Sequence, residues 1–221
     1  MEKREIVVRG TGKVSAVPDL LVLGLNLEVV ETEYEKAMLR ATEQLDALRN
    51  AIVVAGHDGK SLKTTSFNIN TKYDNYRDKN NNWQQKFVGY CCTHGLRLEF
   101  DLDMGKLGIT LGAIAECKST PKFSIKFSVK DPSAVSEQLL ESAINNAKWK
   151  ADILAKSSGV VLGAIKRIDY NWSEHHFYSD TDMHVAESAE DYAVAPRALA
   201  MDIEPEDINV SDTVTVVWVM E

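Results

Sequence analysis

Hydrophobic and polar positions follow two periods along the chain, and the changes between them divide it into elements. Residues 20–30, LLVLGLNLEVV, are apolar and partly alternating, as in a strand with one covered face. Thr32 and Glu35 then match a T-x-x-E capping box, and a helical period runs to Ala55, where Gly56 offers a left-handed stop. Residues 61–73 and 87–100 read as two strands. The segment between them, YDNYRDKNNNWQQ, is polar enough for an exposed hairpin loop. The N-terminal MEKREIVVRG is strand-like at once, and Gly10, Gly12 and Lys13 read as a backbone turn between two strands.

The order then recurs. FSIKFSV at 123–129 alternates as a strand, Asp131 is placed to cap a helix, Pro132 occupies its first position, and Gly159 ends it after Ser158. Residues 161–170 and 209–219 supply two more strands, and 103–116 form a short connecting helix opened by Asp103. The predicted fold class is α+β: two β-α-β-β units, antiparallel sheets packed against two long helices. We expect one domain over residues 1–221, with halves of about 1–102 and 103–221. In the second long helix Leu140, Ile144, Ala147, Ala151, Leu154 and Ser158 mark the expected buried stripe. Beside it Ala143, Ala147, Ala151 and Ala155 recur every four residues, which suits close approach to a sheet or another helix.

Charge narrows the partners. The formal net charge is −8, and from Glu174 onward twelve acidic residues face one basic residue, Arg197. No basic tract exists to neutralise a run of phosphates, so nucleic acid is excluded as an expected partner. No apolar run reaches the roughly 18 residues of a membrane span, so membrane insertion is not expected either. As written the chain reads as cytoplasmic, with no signal peptide; a chain whose leader had been removed would read the same and belong to the periplasm or cell envelope. Cys91, Cys92 and Cys117 are odd in number, and two are adjacent, which argues for free thiols rather than a disulfide framework.

Three groups of residues bear on chemistry. Gly10, Gly12 and Lys13 imitate part of a phosphate loop, but positions 7 and 14 are both valine where the full pattern needs glycine and a hydroxyl residue. Cys91, Cys92 and His94 offer a thiol-dependent enzyme as one alternative; Cys92 and His94 share a strand face, with nothing evident to orient the imidazole. SEHHFYSDTDMHVAESAED, residues 173–191, gathers three of the five histidines among carboxylates. A metal- or ligand-binding module at 174–191 is the other alternative, with His175, His176, Asp180, Asp182 and His184 as candidate ligands. This stretch falls in a connection of nearly 40 residues after Tyr170, in which 185–195 suits a short helix and 198–207 an additional edge segment. Adjacent histidines in an extended chain point opposite ways, and no rigid scaffold is visible there. No cofactor is expected. Tyr73, Tyr76, Trp83 and Trp172, placed on loops, are candidates for a subunit or partner surface.

Several short motifs in one order resemble the SIMPL-domain family, which includes bacterial periplasmic immunogenic proteins and a stress-defence protein. They are Gly10-Thr11-Gly12 with Val14 and Pro18-Asp19, then Val88-Gly89-Tyr90, the alanine ladder with Gly159 and Leu162-Gly163, and the closing VSDTVTVVWVM. The resemblance implies an α+β fold with antiparallel sheets and long helices, assembly of some members into large rings, and no catalytic residues. Cys91-Cys92 stand where small or polar residues are expected in the family. The expected function is a non-enzymatic, self-assembling protein with a scaffold or stress-related binding role, its partner being itself or another protein.

Overall fold

The structure, a computed structural model, describes residues 4–117, 119, 121–170, 176–184 and 203–221, with the backbone alone at 182–184. It is α+β with antiparallel ladders, as the period changes predict. The chain divides into two compact units, one of Met1–Asp19, Ser128–Asp180 and Pro205–Glu221, the other of Leu20–Phe127 and Thr181–Glu204.

In the second of these units, alternation builds the core. Strand β2 (Leu20–Glu31) buries Leu21, Leu23, Leu25 and Leu27 on one face, and β4 (Trp83–Asp101) adds Leu96, Leu98 and Phe100. Helices α1 (Tyr34–Val54) and α2 (Met104–Glu116) cover that face with Leu48, Ile52, Leu107, Leu111 and Ile114. Strand β5 (Lys122–Ser128) completes the cluster with Phe123, Ile125 and Phe127. With β3 (Lys63–Arg77) and β7 (Tyr178–His184) the sheet order is β3-β4-β2-β5-β7. Each fully buried aliphatic or aromatic side chain contributes about 1.5–3 kcal/mol of transfer free energy, so this continuous cluster is the main stabilising element of the unit.

The first unit is a sheet of order β1-β8-β6 under one helix, from β1 (Glu5–Ala16), α3 (Pro132–Ser158), β6 (Leu162–Tyr170) and β8 (Ile208–Met220). Here Gly10, Gly12 and Lys13 lie inside β1, paired with Val214, Asp212 and Ser211, and not in the turn expected at that point. The physical reason is packing. A Cβ at Gly10 would stand 2.1 Å from the Ala143 carbonyl oxygen, and one at Gly12 2.1 Å from that of Leu139, so only glycine lets α3 lie this close. The helix answers with its own small residues: Ala143, Ala147, Ala151 and Ala155 are buried, together with Val135 and Leu139. The expected stripe is thereby corrected, since Leu154 is exposed and Leu140 and Ile144 only half-buried; the ladder itself is the contact.

Other boundaries differ in instructive ways. Asp131 and Asp103 cap α3 and α2 by accepting from Ala134 N–H and Lys106 N–H at 3.0 and 2.9 Å. Gly159 and Gly56 take the left-handed conformation at φ 68° and 87°. The expected Thr32 capping box does not form: Glu33 is the residue before the first helical turn, its carbonyl accepts from Ala37 N–H, and its carboxylate pairs with Lys36 instead. The second β-α-β-β run does not close on itself, because β5 joins β2 while β6 and β8 pair within the other sheet. The long connection after Tyr170 contains β7, and residues 203–207 before β8 are irregular rather than an edge segment. The helix expected at 185–195 and the segment 198–202 lie outside the described residues.

Candidate functional site

Cys92 and His94 are buried on the core face of the β2-β4 sheet, and Cys91 is partly exposed on the other face. Cys92 is buried against Val29, Ala41 and Ile69, whereas Cys91, on the opposite face of β4, lies beside the Glu28 carboxylate. Burial pushes both thiols up from their ordinary value, with Glu28 adding to the effect at Cys91 and Cys91 itself at Cys92. A raised thiol is protonated at neutral pH, the reverse of an activated nucleophile. His94 shares the Cys92 face as expected, but its Nε2 is hydrogen-bonded to Thr64 Oγ1 at 2.9 Å and its ring meets Phe67 edge-on. Burial, then the nearby Arg49, holds its imidazole below the usual 6.5. The trio is therefore three packed side chains without a thiolate–imidazole couple.

Of the candidate metal ligands, His176 and Asp180 are exposed, one before β7 and one within it. Asp182 and His184 lie on β7, and His175 lies outside the described residues. Among the described residues no three His, Cys, Asp or Glu side chains converge as a metal site would require.

Three of the aromatic candidates, Tyr73, Tyr76 and Trp83, lie on one two-stranded extension of the sheet. Strand β2 follows β4 only as far as Tyr90, opposite Glu31, while β3 and β4 continue as a two-stranded ribbon to Arg77 and Trp83. The expected loop of thirteen residues is thus mostly strand, with only 78–82 turning. Asp78 closes that turn by accepting from Asn80 and Asn82 N–H at 2.8 and 2.9 Å, and Asn81 takes φ 63°.

At the base of the ribbon β4 contains one extra residue, Val88, between the pairs Lys72–Gly89 and Tyr73–Phe87. A β-bulge of this kind resets which side chains share a face. Tyr90 and Phe87, three residues apart, consequently lie on the same face, and Gly89 is required there because an added Cβ would come within 2.2 Å of the Glu31 carbonyl oxygen. The result is a chain of rings: Tyr34 to Tyr90 at 5.8 Å, Tyr90 to Phe87 at 5.6 Å, Phe87 to Tyr73 at 5.6 Å, and beyond them Arg77 stacked over Trp83 at 4.8 Å. Each edge-to-face pair adds about 0.5–1.5 kcal/mol, which holds a ribbon that two strands alone would leave marginal. The rings stay open to solvent: Trp83 is 66% exposed, Tyr73 50%, Tyr76 49% and Phe87 43%. Tyr73, Tyr76 and Trp83 were legible in the sequence as surface aromatics, Phe67, Phe87 and Tyr34 were not singled out, and Trp172 lies outside the described residues.

Comparison with known proteins decides the family. The family model SIMPL, described as a protein of unknown function (DUF541), matches residues 6–218. The chain belongs to the SIMPL family. It is 29% identical over 168 residues to the 26 kDa periplasmic immunogenic protein of Brucella melitensis, covering 74% of this chain and 65% of that relative. It therefore spans slightly less than two thirds of that protein's length. It is also 23% identical to the uncharacterised protein YggE of Edwardsiella ictaluri, over 98% of this chain and 87% of that one. YggE of Escherichia coli matches at 23% over 98% and 83%. Four glycines and an aspartate from the short sequence motifs described above act as packing devices in this structure. Gly10 and Gly12 seat α3, Asp19 accepts from Lys130 N–H at 2.7 Å, Gly89 admits the Glu31 carbonyl, and an added Cβ at Gly163 would lie 2.9 Å from the Val219 carbonyl oxygen.

Proposed function

We propose that this SIMPL protein is a non-enzymatic, self-assembling scaffold or stress-related binding protein of the periplasm, using the β3-β4 ribbon as its contact surface. One observation carries the reading: a row of half-exposed rings on a ribbon that leaves its own sheet. Large rings that stay in water represent apolar surface a partner would cover, and Tyr and Trp supply such area at low entropic cost. The raised thiols and the Thr64-bound His94 favour a structural role for the residues best suited to chemistry. The periplasmic compartment in the name of the Brucella relative favours the periplasmic over the cytoplasmic alternative. No helix among the described residues is long and apolar enough to cross a membrane.

Light scattering on the purified chain tests the reading. Assembly is expected at micromolar concentration, and Trp83→Ala together with Tyr73→Ala should weaken it by at least about tenfold, as loss of two anchor residues does. A strict monomer across that range would remove the self-assembly claim.

A further inference from the structure

An edge strand presents a row of backbone N–H and C=O groups that will pair with another strand unless something prevents it. Three edges here are obstructed. Along β1, Asn146 Oδ1 accepts from Thr11 N–H at 2.9 Å, Ser142 Oγ accepts from Lys13 N–H at 3.2 Å, and Lys150 Nζ donates to the Arg9 carbonyl at 3.0 Å. Strand β6 is broken by two register shifts and carries Lys166 and Arg167. Strand β7 has seven residues and carries Asp180.

Strand β3 carries charges too, Lys72, Asp74 and Arg77 among them, but differs in length and continuity. It is 15 residues long, exposed along almost its whole length and free of proline, and among the described residues it has a strand neighbour on one side only. The bulge at the ribbon's base adds its residue to β4, so the open edge of β3 runs without a break from Ser66 to Arg77.

We infer that this edge docks β3 of a second copy, the two strands pairing antiparallel about a twofold axis at Tyr73. The inference rests on the self-assembly reading above and names the surface that performs it. The argument for a second copy, and for the register, is charge. Lys72-Tyr73-Asp74 is complementary to itself when reversed. Centred on Tyr73, each Lys72 faces Asp74 of the other copy, Thr71 faces Asn75, Asn70 faces Tyr76 and Ile69 faces Arg77, so no like charges meet. Centring on Lys72 or Asp74 instead would oppose two lysines or two aspartates, which destabilises a cross-strand pair. Lys72 reaches across β4 to Glu28 of its own chain at 3.3 Å, an exposed contact, so its flexible side chain must turn outward to meet Asp74 of the second copy.

A charge-reversal series on the full chain provides the test, with light scattering as the readout. The parent is expected to assemble, Lys72→Asp to raise the apparent Kd at least about tenfold, and Lys72→Asp with Asp74→Lys to return it to within about threefold of the parent. A monomeric parent overturns both this inference and the self-assembly reading. A parent that assembles while Lys72→Asp leaves its Kd unchanged overturns the β3 pairing alone. So does a natively folded double variant that fails to recover. Thr71→Cys with Asn75→Cys, a pair the proposed register sets face to face and which leaves every ring in place, gives a second measurement that does not depend on those variants folding. Mild oxidation should yield a disulfide-linked dimer that the parent chain does not form, and its absence would equally overturn the pairing.

Discussion

Gly12 stands where β1 and α3 touch, and its missing side chain is what makes the contact possible. An alanine there would put a Cβ 2.1 Å from the Leu139 carbonyl oxygen and 2.8 Å from the Ala143 nitrogen, both backbone atoms that cannot swing aside. The helix must retreat, and burial of Ala143 and Ala147 goes with it. Gly12→Ala is expected to destabilise the folded chain by about 3 kcal/mol, read as a lower urea midpoint, whereas Gly112→Ala, with open space around it, should not. The buried histidines make a second residue-scale prediction. His57 Nε2 is hydrogen-bonded to Thr110 Oγ1 at 2.7 Å, and burial, then Lys106, lowers its imidazole as burial and Arg49 lower that of His94. Below about pH 6.5 the unfolded chain therefore takes up protons that the folded one resists, so stability is lost as pH falls through that value. The urea midpoint should drop between pH 7.5 and 5.5, and a His57→Gln, His94→Gln double variant should flatten that slope.

At the scale of elements, α3 acts on β1 both as cover and as a strand substitute. Ser142, Asn146 and Lys150 step by four beside the alanine ladder, so one helix edge reaches the backbone groups of β1 in turn. Asn146→Ala leaves the Thr11 N–H without that acceptor and is expected to lower stability by about 1–2 kcal/mol in chemical denaturation. Helix ends of this kind were legible in the sequence because Asp131, Asp103, Gly56 and Gly159 act locally. Other elements were not, for reasons that are also physical. Thr32 failed as a cap because the strand before it runs to Glu31 and the helix takes its first carbonyl from Glu33. The sequence YSDTDMH has no apolar alternation, so β7 owes its existence to the sheet it joins. The ribbon has the polar pattern of a loop because neither of its faces is buried; cross-strand rings and the Val88 bulge set its register, and both are visible only once β3 and β4 are paired. Of the candidate site, single exposed aromatics could be named in advance, whereas their alignment could not.

For the whole molecule, charge sets how copies approach. The chain carries −8, yet residues 71–87 of the ribbon hold four basic and two acidic side chains, leaving −10 on the remainder. Two forces thus oppose each other when copies meet: repulsion between two acidic bodies, and short-range contacts between ribbons that combine rings with Lys72–Asp74 pairs. Salt separates them, because the Debye length falls from about 30 Å at 0.01 M to about 10 Å at 0.1 M and about 3 Å at 1 M. The long-range repulsion is removed by the first step. Exposed ion pairs of this type are worth about 0–1 kcal/mol each, and the apolar ring contact is not weakened by salt at all. Self-assembly through the ribbon should therefore tighten severalfold between 0.01 and 0.1 M salt and persist at 1 M. An acidic partner drawn to the basic ribbon would instead be lost steadily over the same range. Light scattering across that series distinguishes the two: monotonic dissociation with salt would show that charge, and not the row of rings, holds the copies together.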